Sequence, residues 1–207
     1  MCTLTVNRED HRLLVAMNRD ERWGRAQELP PSVHPGERAW LAPLDGEKNG
    51  TWMGVNDDGV AACLLNGYHP GDFDLFLRDD VPSRGEIIPR LMALSGREVE
   101  DWLRHGLEVD RYPSFTLLVW TRDHSWELQW QLDRERTLRP AEPGWRMFSS
   151  SAWRTDEVLG WRSDRFKEWL EAGRPFDGPL PSYNLLEAEG LSEWSPWMTR
   201  SFSATRS

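Results

Sequence analysis

Every apolar run in this chain is strand-sized, and the runs come in pairs split by short polar turns. "CTLTVN" and "RLLVAMN" flank "REDH", "GTWMGVN" and "VAACLLN" flank Asp58-Gly59, and "SFTLLVW" and "WELQWQL" flank "TRDHS". Runs joined this closely can pair only as antiparallel hairpins, because a parallel crossover needs a dozen or more connecting residues. In the last pair Trp126, Leu128, Trp130 and Leu132 alternate with Glu127, Gln129 and Gln131, so the spacing predicts an apolar face and a polar one.

Helices fall between and after these pairs. Ser83 and Glu86 have capping-box spacing ahead of "GEIIPRLMAL", although Pro89 argues for a later helical start. "EVEDWLRHG" reads as a second helix closed by Gly106. A long helix is expected from Thr155 to Ala172, with Val158, Leu159, Trp161, Phe166, Trp169 and Leu170 forming a broad apolar side. "WRMFSSS" reads as a strand, and the Pro/Ser-rich remainder holds one more. The turn-rich stretch "ERWGRAQELPPSVHPGERAW" is expected to be a long connection. Strands, helices, strands, helix and a last strand imply an α+β fold with antiparallel sheet. No composition shift marks a boundary, so residues 1–207 are read as a single domain.

With 39% hydrophobic and 29% charged residues, the chain has the makeup of a soluble globular protein. A net charge of −9 speaks against nucleic acid, which favours a basic face. The apolar runs are too short to span a membrane, and the N-terminus lacks the basic and apolar regions of a signal peptide. Cys2 and Cys63 do not make a disulfide framework, so reduced thiols and a cytoplasmic location are expected. The five histidines lack ligand spacing; neither a metal nor an organic cofactor is expected. The 13 tryptophans either line an aromatic ligand pocket or simply fill core and surface.

Cys2 directly follows Met1. Removal of Met1, favoured by a small second residue, leaves a thiol and a free α-amine on one residue. An amine titrating near 7.7–8.0 can deprotonate a thiol titrating near 8.5. The alternative is a small strand residue with an inert thiol. "NRDE" at 18–21 ends a strand with an Arg–Asp pair able to orient an amine or bind a carboxylate, or else forms a surface ion pair in a turn. Asn66 follows the most apolar strand, where its amide can donate to an oxyanion or, ahead of Gly67, serve a turn. Cys63, inside "VAACLL", reads as an inert core thiol.

"MCT", "NRDE", "GTWMGVN", "LLNGY" at 64–68 and "SRGE" at 83–86, with weaker blocks in "SFTLLVW" and "MTRS" at 198–201, resemble the NRDE, or transport and Golgi organisation, family. That family resembles the N-terminal nucleophile (Ntn) hydrolases, which implies a four-layer αββα sandwich of antiparallel sheets. Its amide-cleaving relatives, the choloylglycine hydrolases and penicillin V acylases, use an N-terminal Cys. By that resemblance Cys2 is the nucleophile, Asp20 orients its amine, Asn66 is an oxyanion donor and Arg200 a polar anchor. Met17 stands where those amidases carry an Arg, leaving Arg19 to substitute, and Ser150 or Ser151 stands where they carry an amide side chain. Asn18, Trp52, Tyr68 and Ser150 are the expected substrate-binding residues. The implied activity is hydrolysis of a small linear amide or acyl compound. The alternative implied by eukaryotic members is a non-catalytic binding or transfer protein for haem, acyl-CoA or lipid.

Overall fold

The structure is a computed structural model that describes residues 2–22, 24–69, 72, 75, 80–132, 136–152, 154–187, 194–197 and, for the backbone, 203–206. The chain divides into two compact units. Unit 1 comprises Met1–Arg25 and Pro143–Ser207, and unit 2 is the intervening Ala26–Glu142.

Unit 1 is built on the first predicted hairpin. Strands β1 (Cys2–Glu9) and β2 (Arg12–Arg22) pair through a turn in which Asp10 takes φ 48°, a conformation Asp tolerates better than most residues. β10 (Gly144–Ser150) adds to the far side of β1 and β13 (Ser203–Arg206) to the far side of β2, giving the antiparallel order β10-β1-β2-β13. β1 is therefore an interior strand. A long helix, α3 (Thr155–Glu171), matches the predicted span, and the short strands β11 (Phe176–Asp177) and β12 (Leu180–Pro181) follow it. Phe166 and Trp169 of α3 pack with Tyr183 against Trp145, Met147 and Leu170. That stack identifies the sheet face turned to the helix, since Trp145 and Met147 alternate with residues of the opposite face.

Unit 2 is a meander in which seven strands pair in chain order: β3 (Leu29–His34), β4 (Trp40–Leu44), β5 (Met53–Asn56), β6 (Ala61–Asn66), β7 (Phe115–Trp120), β8 (Ser125–Trp130) and β9 (Thr137–Pro140). The Asp58-Gly59 turn joins β5 to β6 as expected, with Gly59 at φ 78°. Between β6 and β7 lie α1 (Ile87–Met92) and α2 (Val99–Asp101), the latter running on as a π-helical turn, Trp102–Gly106. Ile87, Ile88, Leu91 and Met92 are fully buried in a core with Leu64, Phe115, Leu117, Val119 and Leu128.

Two expectations are corrected. The stretch read as a long connection contains β3 and ends on Trp40, the first residue of β4. Pro30 and Pro31 obscured β3, yet it is an edge strand whose register shifts between Leu29 and Ser32, where two residues without N–H are tolerated. The Ser83–Glu86 box does not close. Ser83 Oγ accepts from Gly85 N at 3.3 Å, Glu86 Oε1 accepts from the Tyr112 hydroxyl at 2.7 Å, and residues 84–86 form a 3₁₀ turn ahead of α1. The polar face of β8 is as expected, and part of it is buried. Glu127 is 2% exposed, and its carboxylate accepts from Arg139 Nη2 and Gln129 Nε2, each at 2.7 Å.

No helix among the described residues is long and apolar enough to cross a membrane.

Candidate active site

Cys2 is the first residue of β1 and lies in a cross-strand row with Ser150 of β10 on one side and Arg19 of β2 on the other. Directly opposed residues of antiparallel strands share a face. The row therefore holds a thiol, a hydroxyl and a guanidinium side by side, all buried. Ser150 Oγ has no hydrogen-bond partner among the described residues. Arg19 Nη2 is 2.9 Å from Glu21 Oε2, two residues along the same face of β2. Burial pushes the Cys2 thiol above its ordinary pKa. The positive charge of the chain's amino terminus opposes that shift, Asp20 adds to it, and Arg19 and a hydrogen bond from the Asp20 main-chain N–H oppose it.

The next row is displaced by one residue, so the pleat turns it to the α3 face: Ser149, Thr3 and Asn18, with Asp20 two residues beyond Asn18. Into this face reaches Arg162, which is completely buried. Its Nη1 donates to Thr3 Oγ1 at 2.8 Å and Ser149 Oγ at 2.7 Å, its Nε to the Trp194 carbonyl at 2.6 Å, and its Nη2 to the Ser195 carbonyl at 2.9 Å. Nη2 also lies 3.8 Å from Asp20 Oδ2. Ser149 Oγ in turn donates to the Cys2 carbonyl at 3.1 Å. Asn18, expected at the substrate, has its amide engaged within the unit. Its Nδ2 donates to the carbonyls of Asn184 (2.8 Å) and Pro196 (3.2 Å), and its Oδ1 accepts from Asn184 Nδ2 at 2.7 Å. Ser151 is also buried, and its carbonyl accepts from Thr155 Oγ1 at 2.9 Å at the start of α3.

In unit 2, Asn66 is the last residue of β6, half-buried and opposite Phe115. Its side-chain amide makes no hydrogen bond among the described residues and is available as a donor. Gly67 is required next, because a Cβ there would stand 2.8 Å from the Ser114 carbonyl carbon. Arg84 of "SRGE" donates from Nη1 to the Ser114 carbonyl at 2.7 Å and the Gly67 carbonyl at 3.4 Å, so this motif pins the chain just beyond Asn66. "GTWMGVN" meets "SRGE" as well: Thr51 N donates to Gly85 O at 3.0 Å, and a Cβ on Gly50 would lie 2.8 Å from the Gly85 carbonyl carbon. Trp52 and Tyr68 are half-buried, and the Trp52 carbonyl accepts from Leu64 N at 2.8 Å. Arg200 lies outside the described residues, as do Met1 and the rest of the 198–201 block. No cluster of His, Cys, Asp or Glu suited to a metal ion occurs among the described residues.

The sequence model of the Transport and Golgi organisation 2 family matches residues 1–175. The chain belongs to that family. Among solved structures, this family member is similar to the N-acylethanolamine-hydrolyzing acid amidase ortholog of Caenorhabditis elegans, at 11% identity over 81% of this chain and 79% of that one, TM-score 0.50. It also matches penicillin V acylase from Agrobacterium tumefaciens (15% identity, 81% of this chain, TM-score 0.43) and the C2A mutant of conjugated bile acid hydrolase from Clostridium perfringens (13% identity, 80% of this chain, TM-score 0.38). The chain spans 57% of the length of each of those two. At these identities the likeness concerns the fold, which is that of the Ntn hydrolases. No curated protein matches the sequence.

Arg162 is the residue the sequence reading passed over. A signal existed: Val158, Arg162 and Phe166 recur at four-residue spacing, so a charged residue sits within the buried stripe of an otherwise amphipathic helix.

Proposed function

We propose that the protein is a cysteine-dependent Ntn hydrolase of small linear amides or acyl compounds, with Cys2 as nucleophile. One observation carries the reading. The second residue of the chain is a cysteine at the head of an interior strand of a four-stranded sheet, flanked by Ser150 and Arg19. The Ntn-hydrolase fold supports it.

The chemistry follows from the burial of the thiol. A thiol held above its ordinary pKa is protonated near neutrality and attacks poorly without a base. Excision of Met1 creates that base on the same residue. The α-amine takes the Sγ proton as sulfur bonds to the substrate carbonyl carbon, whose π electrons move to oxygen. Collapse of the tetrahedral species expels the amine leaving group, which takes the proton back from the α-ammonium and leaves a thioester. Water, deprotonated by the same amine, then releases the acid and restores the thiol. No metal is called for in this sequence of steps. Asn66 as oxyanion donor, Asp20 as orienter of the amine, Arg200 as polar anchor, and Trp52 and Tyr68 as substrate contacts enter the proposal from the sequence resemblance.

Intact-protein mass spectrometry before and after exposure to a thiol-acylating ester tests the reading, on the wild type and on Cys2→Ala. A mass lacking Met1 with a single adduct absent from Cys2→Ala is expected. Retained Met1, with acylation no faster than that of free cysteine, would overturn it.

A further inference from the structure

The interface between α3 and its sheet is divided. One end is apolar, with Trp145, Met147, Phe166, Trp169, Leu170 and Tyr183. The other end, beside the start of β1, is a buried layer of Thr3, Asn18, Asp20, Ser149, Arg162 and Asn184, every one at least nine-tenths buried or paired to residues that are. Burying a guanidinium is unfavourable unless its donors are met, and an apolar side chain of similar volume would fill the space at no such penalty. Here four of the five N–H donors meet an acceptor. Nε and both Nη1 protons have an acceptor, Nη2 donates to Ser195 O, and the Asp20 carboxylate stands 3.8 Å from Nη2, at ion-pair distance.

We infer that Arg162 is the positioning residue of the nucleophile: from α3 it locks the backbone of Cys2 and Thr3 and the carboxylate of Asp20 into one arrangement. This rests on the reading of Cys2 as nucleophile for its purpose, but its geometry stands independently. Two routes lead from the guanidinium to Cys2. One is Thr3 Oγ1, on the adjacent residue. The other is Ser149 Oγ, which accepts from Arg162 and donates to the Cys2 carbonyl. On the third strand, Asp20 answers the positive charge, and its own main-chain N–H meets the Cys2 thiol. One side chain thus ties β1, β10 and β2 together at the residue that opens β1, on the face opposite the thiol, where it leaves the substrate side clear. Lysine cannot replace it, having three donors on a flexible stem in place of five in a fixed fork.

The test compares Arg162→Gln and Arg162→Lys with the wild type in the full chain, by site-resolved amide hydrogen exchange and by the pH profile of Cys2 acylation. Exchange at residues 3–4 and 149–150 is expected to rise about tenfold or more in Arg162→Gln while residues 145–147 and 166–170 keep their protection. Acylation of Cys2 is expected to slow about 10²-fold, the loss typical of a misplaced reacting group. Its pH profile should also move upward, because the Asp20 charge then acts on the thiol without its counter-ion. Arg162→Lys keeps the charge, so it should restore the profile while recovering only part of the rate, and it serves if the Gln variant does not fold. Protection lost uniformly through unit 1, with the pH profile unmoved in either variant, overturns the inference and marks Arg162 as an ordinary buried residue. A wild type that is not acylated at Cys2 sinks the hydrolase reading alone, and the exchange pattern still decides the role of Arg162.

Discussion

Asp20 and Arg162 lie 3.8 Å apart, Oδ2 to Nη2, with side chains 1% and 0% exposed, so strand β2 and helix α3 share a buried charge pair. The two partners are not equivalent. Arg162 has four further acceptors in Thr3, Ser149, Trp194 and Ser195, and these remain if the carboxylate is removed.

The first prediction is an asymmetry. Arg162→Met strips a buried carboxylate of its cation and leaves Thr3, Ser149 and two carbonyls without their donor. It should cost about 3–5 kcal/mol, the usual penalty for breaking one side of a buried pair. Asp20→Asn keeps an acceptor of the same shape and should cost about half as much or less. The double variant should fall short of the sum by about 1 kcal/mol or more, because the two residues touch. Urea unfolding of the four proteins gives the cycle directly.

Alkaline pH should destabilise the fold through its thiols. Burial pushes both Cys2 and Cys63 above the ordinary thiol range. A group whose folded pKa exceeds its unfolded value contributes stability that is full below the unfolded value and drains away as pH rises towards the folded one. Unfolded thiols titrate near 8.5, so unfolding free energy should decline above about pH 8.5, by up to about 1.4 kcal/mol per pH unit for each thiol. Tyr183, raised by burial and opposed only by Arg162, steepens the decline from about pH 10. Cys63→Ala removes one of the two thiols and should flatten the slope between about pH 8.5 and 10 by one thiol's share. Urea midpoints at a series of pH values check this, and an unchanged slope in the variant would exclude Cys63 as a source.

The hairpins were legible because both of their causes are local. An apolar run and a turn residue such as Gly59 act within a few positions of each other. The helix Thr155–Glu171 was legible for the same reason. What escaped the sequence was non-local. Pro30 and Pro31 look like breakers until the sheet order shows β3 at an edge, where missing donors do no harm. Glu127 alternates with the apolar face as a polar strand residue should, but its burial is matched by Gln129 and by Arg139, the latter on a strand that pairs by tertiary register. Within the candidate site, Cys2, Arg19 and Ser150 could each be named from motif position, but their alignment in one row depends on β10, whose Ser149 lies 147 residues from Cys2. Arg162 was hidden by the opposite effect: an amphipathic reading discards the one charge in an apolar stripe.

Asn56 should prove a strong structural residue of unit 2. Its Nδ2 donates to the carbonyls of Met92 and Leu94 at 3.0 and 2.9 Å, closing the C-terminus of α1. Its Oδ1 accepts from Val60 N at 2.8 Å and Asp58 N at 3.1 Å, shaping the β5–β6 turn. One side chain therefore joins a helix end to a hairpin. Asn56→Ala orphans these main-chain groups together, and a loss of about 3 kcal/mol is expected, since each buried polar group left unmet costs about 1–3 kcal/mol. Asn56→Asp keeps the acceptor but lacks the donor, so α1 should fray while the turn survives. Amide exchange at Val60 and at residues 92–94 separates the two effects.

Ser150 offers a contrast between stability and activity at a single atom. Its Oγ is buried beside Cys2, in the same cross-strand row, with no hydrogen-bond partner among the described residues. An unmet buried hydroxyl contributes nothing to the fold and carries a desolvation penalty, so Ser150→Ala should leave stability unchanged or raise it by about 1 kcal/mol. If the hydroxyl is kept for the acyl group arriving at Cys2, the same change should slow Cys2 acylation by about 10-fold or more, the equivalent of one neutral hydrogen bond gained at the reacting centre. Ser150→Thr retains the hydroxyl and should hold most of the rate. Thermal unfolding and acylation rate measured side by side decide the matter: a stabilised and equally reactive Ser150→Ala protein would mean that the hydroxyl serves neither the fold nor the chemistry.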